Sequence, residues 1–260
     1  MGSTLDLLVR RYTVSDGIVI RRRPLPSGDV VVTLLSEHGK WRAVARKGRL
    51  PGGNIGKLSL FHDVTVQYYK KREDDLALLT QVQLNGALPR LSEPLVYPYA
   101  NLLAELVDVL TVDVHHGERL YEHLASGLRG LNRHDDPDHV GLLYAWRLLG
   151  LAGLAPRLER CVVCGRADDL VALDVAAGGL VCRDCGAGVG LDLTGISELR
   201  VLVTSPLRTA LSCPPAERGR HWRLLGLYVA YHAAELRSLA SLEYAPGEVT
   251  PQRVLTVGDV

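Results

Sequence analysis

Between residues 9 and 85 the apolar positions come in short alternating runs rich in valine, leucine and threonine. Turn chemistry separates them at Asp16-Gly17, Pro26-Ser27-Gly28-Asp29, His38-Gly39, Pro51-Gly52-Gly53-Asn54 and Glu73-Asp74-Asp75. Alternation with a period of two puts successive side chains on opposite faces of a strand. The pattern therefore predicts five strands, near residues 10–22, 29–36, 40–47, 62–71 and 76–84. Five short antiparallel strands with no long helix fit a small barrel of the OB-fold type, with an SH3-like barrel as the rival. From Pro94 the period turns helical, with Leu102, Leu103, Leu106, Val109 and Leu110 on one stripe and Leu120, Leu124, Leu128 and Leu131 on the next. Asp136-Pro137 reads as an N-cap with proline at the first helical position, and Val140, Leu143, Ala145, Leu148 and Leu149 form the buried side that follows. Two further helices are expected over residues 194–211 and 216–240. The predicted fold is thus a multi-domain α+β chain: an OB-fold barrel over residues 1–85, then a helical domain over 86–260 interrupted by an insertion at 157–190.

A chain of 260 residues with 47% hydrophobic content can bury one large core or two unequal ones, which excludes a disordered protein. Its longest apolar stretches, residues 102–110 and 224–230, contain Glu105, Asp108 and Gly226 and fall short of the roughly 20 residues a membrane span needs. The first residues lack the pattern of a signal peptide, so a cytoplasmic location with reduced thiols is expected. The net charge of +1 conceals a strong segregation. Residues 1–72 carry 14 Lys plus Arg against 5 Asp plus Glu, and the remainder carries 16 against 24. All the lysines, Lys40, Lys47, Lys57, Lys70 and Lys71, lie in the first part. A basic barrel beside an acidic helical domain points to a polyanionic partner for the barrel alone.

The insertion holds Cys161, Cys164, Cys182 and Cys185, two C-x2-C pairs separated by 17 residues, a spacing that fits one four-thiolate zinc site. Gly165 and Gly186 follow the two pairs, where a knuckle turn often needs positive φ, and the spacer reads as a short strand pair over the metal. Four protein thiolates leave no position for water, so the ion is expected to be structural and the protein not an enzyme. Cys213, before Pro214-Pro215, reads as a lone thiol. His116-Gly117-Glu118 followed by C-x2-C resembles a deaminase signature but lacks the proline before the cysteine, and a second pair already completes the site. Gly52 to Lys57 resembles a phosphate-binding loop but has Pro51 and Leu58 where glycine and Ser or Thr are required. Asp135, Asp136 and Asp138 are assigned to helix capping.

In the third strand Lys40, Arg42 and Arg46 share one face, with Trp41, Ala43 and Ala45 on the other. In the fourth, Val64, Val66 and Tyr68 suit the interior, and Thr65, Gln67, Tyr69 and Lys71 the outside. An aromatic ring beside cations suits single-stranded nucleic acid, because the cations track phosphates and the ring accepts any base. The candidate DNA contacts are Lys40, Arg42, Arg46, Lys47, Arg49, Lys57, Tyr69, Lys70, Lys71 and Arg72, with Arg21, Arg22 and Arg23 adding charge on adjoining loops.

The order of parts resembles the RecO family of bacterial repair and recombination mediators. Local matches are Asp16-Gly17-Ile18-Val19, Val30 to Leu35 followed by His38-Gly39, Ala43 to Gly48, Leu148 to Pro156 leading into Cys161 to Gly165, Ala177 to Cys182, and Tyr228 to Leu239. The loop 49–57 is richer in glycine than is usual in that family. The resemblance implies an OB-fold, zinc at the cysteine pairs, and binding of single- and double-stranded DNA with strand annealing. It also implies help in replacing single-stranded DNA-binding protein with RecA, with RecR and the C-terminal tail of single-stranded DNA-binding protein as partners, in the cytoplasm at the nucleoid. The alternative is a zinc-stabilised adaptor whose basic barrel binds acidic protein segments.

Overall fold

The structure, a computed structural model, describes residues 12–46, 55–70, 72, 76–111 and 117–232. Strands β1 (Tyr12–Pro24), β2 (Val30–Ser36), β3 (Gly39–Ala45), β4 (Asp63–Tyr69) and β5 (Ala77–Leu84) close into a barrel in the order β1-β2-β3-β5-β4. Every pairing is antiparallel except a short parallel contact of β3 with β5 through Ala43↔Ala77 and Val44↔Leu78. This is the OB-fold arrangement and sets aside the SH3-like rival. Alternate residues fill the barrel, among them Val19, Val32, Leu34, Ala43, Val64, Val66 and Leu79. Phase is lost once in β1, where Val19 faces Leu34 and Arg21 faces Thr33, so Ile20 is an extra residue in a bulge.

A short 3-10 turn at Pro89–Ser92 leads into the helices α1 (Tyr97–Leu110), α2 (Gly117–Arg133), α3 (Pro137–Leu151), α4 (Leu193–Thr204), α5 (Leu207–Leu211) and α6 (Arg218–His232). Asp136 caps α3 by accepting the His139 N–H at 3.1 Å, and Asp192 caps α4 by accepting that of Gly195 at 2.8 Å. The single helix expected over 194–211 is two. Ser205 is extended ahead of Pro206, whose ring disfavours helical geometry in the residue before it. Of the last expected helix, residues 233–240 lie outside the described residues. The capping assigned to three aspartates holds for Asp136 alone. Asp135 is fully exposed, 3.8 Å from the Arg90 guanidinium. Asp138 is turned inward, where it accepts hydrogen bonds from Tyr99 Oη and Trp222 Nε1, both at 2.9 Å. Arg218 closes this group with a two-pronged contact to Asp136 at 2.7 and 2.6 Å.

Barrel and helices share one apolar core. Ile18, Ile20, Leu35 and Phe61, on the outside of the barrel, pack in the same cluster as Tyr99, Leu102, Leu106 and Leu120. The start of α2 abuts the β2–β3 turn so closely that a Cβ on Gly117 would stand 2.4 Å from the Gly39 nitrogen. At the rim of this seam Lys40 Nζ meets Asp108 Oδ1 at 3.0 Å and also donates to the Asp108 carbonyl, while Arg21 Nη1 lies 3.3 Å from Asp108 Oδ2.

Asp138→Ala is expected to leave two buried donors unpaired and to cost about 2–4 kcal/mol, read as a lower urea midpoint with an unchanged slope. Burial lowers the pKa of His123, His139 and His221, that of His123 to about 4. These rings stay neutral when folded and take up protons when unfolded, so stability should fall as pH drops below about 6.5 and continue falling toward about 4. A denaturant series between pH 7 and 4.5 checks this; a flat midpoint is the contrary result.

Candidate metal centre and nucleic-acid interface

The insertion folds as a three-stranded sheet of β6 (Leu170–Asp174), β7 (Gly179–Cys182) and β8 (Val189–Gly190), in the order β7-β6-β8. Each cysteine pair lies on a tight turn. Gly165 N–H donates to the Cys161 carbonyl at 2.9 Å, and Cys185 N–H to that of Cys182 at 3.1 Å. Gly165 has φ 79°, as the knuckle demands, but the expectation for Gly186 fails. The second knuckle closes without a left-handed residue there, and the positive φ falls on Gly188, packed under the Leu173 carbonyl. Arg166 Nη1 clasps the turns together through Asp184 Oδ2 at 2.7 Å.

The sulfurs of Cys161, Cys164, Cys182 and Cys185 all lie within 4.8 Å of one another, and those of Cys164 and Cys182 are 3.7 Å apart. With metal–sulfur bonds of about 2.3 Å, a tetrahedral four-thiolate site has sulfurs about 3.8 Å apart. The cluster is therefore of the size that four ligands of one metal ion require. The Cys164 backbone N–H draws the Cys161 thiol down to about 6, toward the thiolate. Cys185 is pushed up to about 12 by its hydrogen bonds to the Cys164 and Cys182 sulfurs. Four sulfurs this close cannot all ionise unaided, and a bound cation removes that conflict. Cys213 is exposed and outside the cluster.

On the barrel, the register decides which cations share a surface. Thr33 on β2 faces Arg21 on one side and Arg42 on the other, and Val31 faces Arg23 and Val44. Val30, Val32 and Leu34 fill the interior, so Val31 and Thr33 point outward and carry Arg21, Arg23 and Arg42 with them. These arginines are exposed, as is Arg46 just past β3. The outer face of β1–β2–β3 is thus a basic sheet about 10 Å across. In OB-folds the β2–β3 face, with the loops after β1 and β4, is where oligonucleotides lie. Arg21, within the expected first strand, and Arg23, just beyond it, are both strand residues on this face, and the Ile20 bulge puts them there. A bulge leaves little mark in sequence; the signal was only that Ile18 and Ile20 keep phase with each other and not with the arginines that follow.

The remaining candidates divide. Lys40 does share the Arg42 face, but its ammonium is committed to Asp108. Lys57 turns back to donate to the Val82 carbonyl at 3.0 Å, closing one end of the barrel. Arg22 does likewise toward the Ile55 and Leu58 carbonyls, both at 3.4 Å. Tyr69 is half-buried on the outside and meets Tyr12 edge-on, with centroids 5.9 Å apart. Lys70 and Arg72 are exposed at the end of β4. Lys47, Arg49 and Lys71 lie outside the described residues, as do His115, His116, Gly52 and Gly53.

The barrel corresponds to the family model described as Recombination protein O N terminal, matched over residues 11–87, and the helical part to Recombination protein O C terminal, matched over 91–241. The chain belongs to the RecO family. A relative named DNA repair protein RecO from Streptomyces avermitilis is 32% identical over 244 residues, covering 88% of this chain and 96% of the relative. Relatives of the same name are 30% identical in Desulfatibacillum aliphaticivorans, over 88% of this chain and 95% of the relative, and 30% identical in Bacillus subtilis, over 66% and 68%. The two RecO family matches meet between residues 87 and 91, where the barrel gives way to the helices. In this RecO-family chain no described helix is long and apolar enough to cross a membrane.

Elemental analysis of the purified protein is expected to find one metal ion per chain, and Cys164→Ser to abolish it. Chelation should speed hydrogen exchange in Leu170–Asp174 and Gly179–Cys182 while leaving β1–β3 protected. Unchanged protection in the hairpin would mean the ion does not hold it.

Proposed function

We propose that this protein is a non-catalytic DNA repair and recombination mediator. It binds single- and double-stranded DNA, promotes annealing of complementary strands, and with RecR helps load RecA onto DNA coated by single-stranded DNA-binding protein. The observation that carries this reading is the basic outer face of β1–β2–β3, with Arg21, Arg23, Arg42 and Arg46 raised on an OB-fold in a RecO-family chain. Lys47, Arg49, Lys70, Lys71 and Arg72 extend the contact on this reading, with Tyr69 accepting bases of the single strand only, whereas Lys40 and Lys57 act structurally. The boundary falls between residues 85 and 86, with 157–190 as the metal-binding insertion. The ion is zinc, since a four-thiolate tetrahedron suits it, and its role is structural. The C-terminal tail of single-stranded DNA-binding protein docks on the helical domain, and the protein works in the cytoplasm at the nucleoid.

Fluorescence anisotropy of a labelled single-stranded oligonucleotide over a salt series tests the reading. If about five cations neutralise phosphates, the log-log slope should be near −3.5, and Arg42→Ala with Arg46→Ala should reduce its magnitude by about 1.4. Flat, weak binding at every salt would overturn it and favour the adaptor alternative.

A further inference from the structure

The strand registers place a second kind of surface on the same barrel. Tyr12 on β1 faces Tyr69 on β4, Tyr69 faces Leu78 on β5, Leu78 faces Val44 on β3, Val44 faces Val31 on β2, and Val31 returns to Arg23 on β1. These six positions form one continuous track that winds around the barrel as an open spiral, its ends Tyr12 and Arg23 lying at opposite ends of β1. Their neighbours in sequence, Val30 and Val32, Ala43 and Ala45, Ala77 and Leu79, fill the interior, so the track lies on the outside. Tyr12 is 49% exposed, and Tyr69, Leu78, Val44 and Val31 are half-buried. Among the described residues, neither apolar core contains any of the five.

A continuous track of apolar side chains on the outside of a barrel is solvated at a cost unless something covers it. Its surroundings select the occupant. Arg23 lies in the track, with Arg21 and Arg42 one outward row away on the same sheet. A partner that covers flat apolar faces while running a line of negative charge beside them is a nucleic acid with unpaired bases. A duplex brings the charge, but its base faces are stacked inside and cannot cover the track.

We propose that single-stranded DNA follows this track, its bases laid on Tyr12, Tyr69, Leu78 and Val44 and its phosphates on the arginine rows, whereas duplex DNA engages the arginines alone. This rests on the DNA-binding reading above and adds the basis on which the two forms of DNA are told apart. The track crosses β4 and β5, so it leaves the β2–β3 face and passes behind it.

The test is anisotropy on the full-length protein with one labelled strand and with the duplex formed from it. Tyr12→Ala with Tyr69→Ala should weaken the single strand about tenfold and leave the duplex and the salt slope unchanged. Tyr12→Phe with Tyr69→Phe should restore single-strand binding, which also separates loss of the rings from a misfolded barrel. Equal weakening on both DNA forms, or none on either, overturns the proposal. So does loss of self-association with DNA binding intact, which would assign the track to a second copy of the chain. A wild-type protein that binds neither form overturns the DNA-binding reading itself, whereas salt-steep binding of both forms with indifferent tyrosines overturns the track alone.

Discussion

The apolar seam between barrel and helices is the contact on which the rest of the structure depends. Ile18, Ile20, Leu35 and Phe61 belong to a barrel strand, bulge or turn, yet they are buried in the helical core. Their burial fixes the barrel against α1 and α2, and the close approach of Gly117 to Gly39 leaves no room for rotation. One end of the β1–β2–β3 sheet is thereby covered. The surface that remains starts at the row of Arg21 and Arg42, with Thr33 buried between them; Asp108 holds Lys40 at the boundary and also pairs with Arg21, whose side chain stays exposed. A cation that looks available in the strand is spent on holding two parts of the protein together.

The metal-binding insertion is equally tied into the core. Leu173, Leu180 and Val181 of its hairpin pack in the helical cluster, and Trp146 and Tyr228 meet with ring centroids 5.6 Å apart beside them. The Leu158 carbonyl, just ahead of the first knuckle, accepts from the Arg200 Nε and Nη2 at 3.1 and 2.8 Å. His232 at the end of α6 contacts the Val175 carbonyl at 2.7 Å. An ion held here would order more than its own loop, because the hairpin shares the helical core and is bonded to the end of α6.

Much of the candidate site was legible because it rests on short-range rules. The C-x2-C pairs announce a four-sulfur cluster, since two residues are the length of one knuckle, and the four sulfurs do converge. The alternation of Lys40, Arg42 and Arg46 against Trp41, Ala43 and Ala45 assigns faces that the burial of β3 follows. Where the reading failed, a longer-range contact had intervened. Lys57 looked like a loop cation, but the barrel end offered the Val82 carbonyl. Asp138 looked like a helix cap, but Tyr99 and Trp222 brought it two buried donors from elements 39 and 84 residues away. The break at Pro206 was local and readable; a continuous apolar pattern outweighed it.

From sequence alone come the five strands, the helical periodicity, the cysteine cluster and the concentration of positive charge in the first 72 residues, because each is set by neighbours along the chain. Which arginines share a surface was decided by tertiary structure. Continuing the phase of Ile18 and Ile20 would put Arg22 outside and turn Arg21 and Arg23 inward. The bulge at Ile20 reverses this, sending Arg22 to the barrel end and Arg21 and Arg23 to the open face. Its physical reason is that two successive demands meet there. The helical core takes both Ile18 and Ile20, while the pairing of β1 with β2 must still bring Arg21 opposite Thr33, and one extra residue lets both be met.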